Sequence, residues 1–220
     1  MARMARLVVP NYPHHCTQRG NRRMQVFFSD DDYLLYKNYL IDALTKANVE
    51  VWAYCFMPNH VHLVVVPIAE DGLRNFFGEA HRRYTRAINF REGWRGYLWQ
   101  GRFHSFVMQE RYLMAAVRYV ENNPVDAGLC EQAEQWQWSS ASAHIENKDD
   151  GLVTVKPMLE RVNDWRSYLS QTDATDNTHK LLEKHISTGR SLGDNGFIDQ
   201  LVQLHGEFVK PRKRGRKPVS

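Results

Sequence analysis

The stretch Met57-Pro58-Asn59-His60-Val61-His62-Leu63-Val64-Val65-Val66 carries the reading of the fold. His60 to Val66 is rich in β-branched and apolar residues and reads as a strand, set off by the chain-breaking Met57-Pro58-Asn59. Successive strand residues point to opposite faces. His60 and His62 therefore share one face, and Val61, Leu63 and Val65 point the other way, into a core. Two imidazoles on adjacent same-face positions can clasp one divalent ion. Taken alone, the pair is better explained as two histidines hydrogen-bonded locally on a half-buried strand.

Outward from this strand the pattern alternates. Val49 to Phe56, β-branched and aromatic, reads as a strand. Before it, Asp30 to Asp32 cap a helix whose Tyr33, Leu34, Tyr36, Leu40, Ile41 and Leu44 recur at helical spacing, and His14 to Arg19 reads as the first strand, closed by a turn at Gly20-Asn21. After it, Gly72 to Asn89 reads as a second helix, and Gly93 to Val107 as a turn plus strand. Arg111 to Asn123 reads as a helix stopped by Pro124. The order fits an α+β, ferredoxin-like split β-α-β antiparallel sheet with helices. Beyond the polar loop Glu146 to Gly151, a mostly helical C-terminal region is expected: Pro157 to Leu169, Thr178 to Ser187 and Asp194 to His205. The expected division is 1–145 for the α+β domain, 146–209 for a helical accessory region and 210–220 for a disordered basic tail.

Composition narrows the setting. The 220 residues are 43% hydrophobic and 25% charged, an ordinary globular balance. The longest apolar candidate, Leu63 to Ile68, falls far short of the roughly 18 residues of a membrane span. Leu7 to Val9 is too short for the core of a signal peptide. Cys16, Cys55 and Cys130 are odd in number and far apart, so no disulfide framework is expected and the setting reads as reducing and cytoplasmic. Lys210 to Lys217 carry six cations, more than the whole net charge of +4, which leaves the body at −2. That places Lys213, Arg214, Arg216 and Lys217 in a separate basic arm of the kind that binds nucleic acid. Its Arg-Gly-Arg has Lys217 where an AT-hook has proline, so it reads as a phosphate-binding arm.

The histidine pair needs a third ligand. Tyr119 and Asn123 are four residues apart and so neighbours on one helical face. Asn123 offers an amide oxygen suited to a hard ion such as magnesium or manganese, and Tyr119 offers a phenol beside it. Each residue alone also suits an ordinary helix position.

Together these residues resemble a known family. Met57-Pro58-Asn59-His60-Val61-His62-Leu63 is similar to an HUH strand, and Tyr119-Val120-Glu121-Asn122-Asn123-Pro124-Val125 to a tyrosine helix. Thr17-Gln18-Arg19-Gly20-Asn21-Arg22, Leu98-Trp99-Gln100-Gly101-Arg102-Phe103 and Trp138-Ser139-Ser140-Ala141 match as well. The chain resembles the REP-associated tyrosine transposases, HUH single-tyrosine enzymes, strongly over residues 12 to 145. The resemblance implies a metal-dependent endonuclease and strand transferase acting on single-stranded or hairpin DNA at palindromic repeats. It implies Tyr119 as the nucleophile, forming a 5′-phosphotyrosine, and His60, His62 and Asn123 as ligands of Mg2+ or Mn2+. One chain would supply the whole site, so a monomer could act alone, with a dimer left open. DNA contacts are expected from Arg19, Arg22 and Arg23, from Arg82, Arg83 and Arg86, and from Arg95, Trp99 and Arg102, where rings and cations interleave. His14, His15, His81 and His104 show no partner pattern and read as structural. Two rivals stand beside this reading. One is a non-catalytic single-stranded nucleic-acid-binding sheet. The other is a phosphoesterase using metal-bound water, which would call for more acidic ligands.

Overall fold

Strands His14–Arg19 (β1), Val49–Met57 (β2), His60–Pro67 (β3) and His104–Val107 (β4) form one sheet in the order β2-β3-β1-β4, every neighbouring pair antiparallel. Helix α1 (Asp30–Ala47) links β1 to β2, and α2 (Gly72–Glu92) links β3 to β4. This is the ferredoxin-like arrangement the sequence implied. These coordinates are a computed structural model, which describes residues 6–171 and 177–210.

Local chemistry sets the boundaries. Three acids, Asp30, Asp31 and Asp32, fill the first turn of α1, where the helix dipole favours negative charge. The helix ends where Asn48 turns left-handed at φ 52°. Between Val51 and Ala53 the β2–β3 register shifts by a bulge. The extra residue, Trp52, resets the alternation, so Val51 and Tyr54 face one side while Ala53 and Cys55 face the other.

The sheet therefore has two buried faces. On one, Val61, Leu63 and Val65 pack with Tyr36, Leu40, Phe76 and Tyr84 of α1 and α2. On the other, Ala53, Cys55 and Val64 pack under Leu113, Ala116 and Val120 of helix α3 (Glu110–Asp126). Next come α4 (Ala141–Ile145), α5 (Lys156–Leu159), α6 (Trp165–Ser170), α7 (Asn177–Thr188) and α8 (Asn195–His205). Met158, Trp165 and Leu182 from these elements join the α3 core.

Two expectations are corrected. Pro124 does not stop α3, which runs on to Asp126. A proline φ suits a helix, and so near the end the missing N–H forfeits one bond, after which Ala127 N–H still reaches the Asn123 carbonyl at 3.0 Å. Pro157 to Leu169 is not one helix but α5 and α6, because Asp164 caps a new start by accepting from the Ser167 N–H at 3.0 Å. No described helix is long and apolar enough to cross a membrane.

Candidate active site

The start of β3, the end of β1 and the middle of α3 meet on the α3 side of the sheet. His60 and His62 lie there as neighbours, ring centroids 4.9 Å apart and planes at 81°. The Tyr119 ring stands edge-on to His62 at 5.6 Å. Asn123, one turn further along α3, is near enough to act on both, pulling the Tyr119 phenol down and His60 up. The structure thus brings together all four residues singled out from the two motifs.

Burial decides their protonation. It pushes His60 down to about 4, helped by the charge of Arg19 and opposed by the bond to Asn123. His62 falls well below its ordinary value, again through burial first and then the neighbouring His60. Both rings are neutral near pH 7, the form in which imidazole ligates metal. Among the described residues no three His, Cys, Asp or Glu gather into a metal-binding group. The donor set here differs in kind: two neutral imidazoles and an amide oxygen, a mixed nitrogen–oxygen set that fits a divalent cation. The Tyr119 phenol is pushed above its ordinary value by burial and then by the charge of Glu183, while Asn123 and Arg19 pull it down.

A cavity of about 470 Å³ opens onto this cluster. Thr17, Arg19, His62 and Tyr119 form one side, and Glu183, Ile186 and Ser187 of α7 form the other. His179, also on α7, meets the Tyr119 ring edge-on at 5.1 Å. Helix α7 therefore walls the tyrosine, a role nothing in its own sequence pattern announces.

The expected DNA contacts divide. Arg19 lies in the cavity wall. Arg22 and Arg23 are exposed on a turn with left-handed φ of 55° and 62°. Arg95 and Arg102 are exposed in the connection before β4. Trp99 does not offer a stacking face: it is 5% exposed and packs against Tyr36, His81 and Tyr84, because its strand-like bridge to Gly20 turns it inward. Trp94 and Tyr97, 42% and 86% exposed, are the rings presented to solvent in that segment. Arg82, Arg83 and Arg86 sit on α2, across the sheet from Tyr119, with Arg82 paired to Glu79 and Arg83 to Asp42. Lys213, Arg214, Arg216 and Lys217 lie outside the described residues.

Three residues escaped the sequence reading. His15 Nε2 lies 3.0 Å from His62 Nδ1. Asn59 holds His60 from the other side, its Oδ1 2.6 Å from His60 Nδ1. Glu121, between Tyr119 and Asn123 but facing away from them, is fully buried. Its carboxyl accepts from Ser140 Oγ and from Trp165 Nε1 at 2.7 Å, and lies 2.7 Å from His144 Nδ1. That cluster pins α3 to α4 and α6. The Trp138-Ser139-Ser140-Ala141 motif pointed to it; its partner could not be read.

The chain belongs to the IS200-like transposase family: the family's sequence model, described as Transposase IS200 like, matches residues 8–123. Among solved structures, a REP-associated tyrosine transposase bound to a REP hairpin is similar at 21% identity and a TM-score of 0.60, over 80% of this chain and 94% of that one. At that identity the likeness concerns the fold. A second, from Deinococcus radiodurans R1 and only provisionally assigned as a transposase, is 26% identical with a TM-score of 0.39, over 54% of this chain and 95% of that one. No curated protein matches the sequence.

Proposed function

We propose that this protein cleaves and rejoins single-stranded DNA at hairpins formed by palindromic repeats, through a phosphotyrosine on Tyr119. The observation that carries the reading is the meeting of His60, His62, Asn123 and Tyr119 on one side of the sheet, where His62 and Tyr119 line a cavity. The hairpin is suggested by the DNA held in the structurally similar transposase.

In this reading the Tyr119 oxygen attacks a DNA phosphorus, its proton leaves, and the bond from phosphorus to the 3′ oxygen breaks. The phosphate stays on the 5′ side, now joined to Tyr119, and the 3′ oxygen takes up a proton to leave a free hydroxyl. Attack by a 3′-hydroxyl reverses the step without ATP. His60, His62 and Asn123 would hold Mg2+ or Mn2+, which when bound supplies positive charge to polarise the phosphate. Asn123, one turn from Tyr119 on the same helical face, would set the ligand beside the nucleophile. Arg19 sits where it can meet the strand's phosphates, and Arg22, Arg23, Arg95, Arg102, Trp94 and Tyr97 extend a cationic, ring-bearing surface from the same end of the sheet.

The test is denaturing electrophoresis of an end-labelled hairpin incubated with protein and Mg2+ or Mn2+. A denaturation-resistant adduct is expected with the native chain. Tyr119→Phe should form none while still binding DNA. An adduct in Tyr119→Phe, or full cleavage in excess chelator, overturns the proposal. Binding by the native chain with no adduct under any metal would favour a non-catalytic binding sheet.

A further inference from the structure

Asn59 stands between the arginine-bearing turn and the first histidine of the pair. Its Nδ2 donates to the Arg23 carbonyl at 3.1 Å, and its Oδ1 lies 2.6 Å from His60 Nδ1. The polarity of this chain is fixed at its outer end. A carbonyl oxygen can only accept, so the Asn59 amide must turn its NH2 to Arg23 and its oxygen to His60. An amide oxygen also only accepts, so His60 Nδ1 must carry the hydrogen. A neutral imidazole carries one, which leaves His60 Nε2 as a bare lone pair. Nε2 is the nitrogen left for a metal ion.

The surroundings hold Asn59 in place. Its own carbonyl accepts from the Gly20 N–H at 2.8 Å, and the Pro58 carbonyl accepts from the Val26 N–H at 2.8 Å. The loop from Gly20 to Val26 thus wraps the Met57-Pro58-Asn59 turn. Its closeness requires glycine at position 20, where a Cβ would stand 2.2 Å from the Met24 carbonyl oxygen. The left-handed Arg22 and Arg23, at φ 55° and 62°, aim the Arg23 carbonyl back at Asn59. Non-glycine residues adopt that conformation at a cost, and consecutive ones mark a turn held by its environment.

We infer that Asn59 is a positioning residue that sets the His60 tautomer, through a hydrogen-bond chain anchored on the Arg23 carbonyl, so that Nε2 is always presented as a ligand. An outer partner of this kind fixes ring orientation and tautomer of a metal-binding histidine. The inference rests on the proposed reading of His60 as an ion ligand. It also ties the turn carrying Arg22 and Arg23 to that ligand through one side chain.

The experiment is long-range proton–nitrogen correlation on the full, metal-free protein with 15N-labelled histidine, which reports which ring nitrogen bears the hydrogen. The native chain should show His60 protonated at Nδ1 and bare at Nε2. Asn59→Asp loses the donor to Arg23 but keeps an acceptor for His60, and should preserve the hydrogen on Nδ1. Asn59→Leu removes the acceptor and should release His60 to a mixture of tautomers. Mn2+ titration in parallel should show affinity retained within a few-fold in Asn59→Asp and lost by about 10- to 100-fold in Asn59→Leu. A native His60 protonated at Nε2 overturns the inference, whether or not Asn59→Leu folds. So does an Asn59→Leu chain with unchanged tautomer and Mn2+ affinity. If the native tautomer is as stated but Mn2+ binds nowhere near His60, the ion-ligand reading fails instead and the hydrogen-bond chain stands.

Discussion

His15 and His62 are stacked across β1 and β3, ring centroids 5.1 Å apart and planes 15° apart, with one hydrogen bond of 3.0 Å between them. Both rings are buried, and His15 Nδ1 has no partner among the described residues. His15 is thus the inner counterpart of Asn59. His15→Leu should strand a buried nitrogen of His62 and cost about 1–3 kcal/mol. The rise in melting temperature produced by Mn2+ should also shrink, since that rise tracks affinity. His15→Gln, whose amide can still bond His62, should recover most of both. Thermal unfolding with and without Mn2+ decides it, and an undiminished Mn2+ effect in His15→Leu would refute the role.

Glu183 faces Tyr119 across the cavity from α7 and, after burial, raises its phenol. A raised phenol means little phenolate at neutral pH, so adduct formation should speed up as pH rises into the mildly alkaline range. Glu183→Gln removes the opposing charge, lowers the phenol's pKa and should accelerate adduct formation at each pH below it. The rate of adduct formation against pH, in both chains, is the measurement. A slower Glu183→Gln would mean instead that Glu183 takes the tyrosine's proton.

Acid should unfold this protein through its buried histidines. His14 is held neutral, with Nδ1 2.8 Å from the Tyr12 carbonyl and Nε2 accepting from the Val9 N–H at 3.1 Å. Burial pushes it down to about 4 and His81 to about 3, from 6.5. The folded pKa values lie below the unfolded one, so the unfolded chain gains its protons first as pH falls. Stability should be full above about pH 6.5 and decline from there toward pH 4 and 3. His81→Gln, which keeps an acceptor for the Tyr36 hydroxyl 2.9 Å away, should flatten that decline in denaturant titrations run across the range. An unchanged slope would remove His81 from the account.

Tyr97 and Trp99 should separate binding from folding. Tyr97→Ala, at an exposed ring, should lower single-strand affinity by about 1–3 kcal/mol in fluorescence anisotropy and leave the melting temperature alone. Trp99→Ala, in the core, should cost about 3–5 kcal/mol of stability. The reverse pattern would return the stacking role to Trp99.

The sheet and the meeting of His60, His62, Tyr119 and Asn123 were legible because each rests on a short period. Alternation puts His60 and His62 on one face, and a four-residue step puts Tyr119 beside Asn123. His15 was not legible, since its link to His62 depends on β1–β3 register, where Thr17 rather than His15 sits opposite His62. Glu183 and His179 were hidden for a similar reason: they are joined to Tyr119 by packing across some 60 residues of chain, with no spacing rule between them. Trp99 was misread because interleaved rings and arginines look alike whether the rings face water or the core. Pro124 was misjudged because proline excludes one hydrogen bond, not the helix near its end.

The alternation in β3 has a further consequence. Slipping that strand by one residue would aim Val61 and Leu63 at Tyr119 and push two histidines among the aromatic rings of α1 and α2. A mis-registered chain would lose its histidine–tyrosine cluster and its apolar core in the same event. Assembly of the fold therefore proofreads the site: a molecule that has settled into a stable sheet has, by that fact, already passed inspection for its histidines.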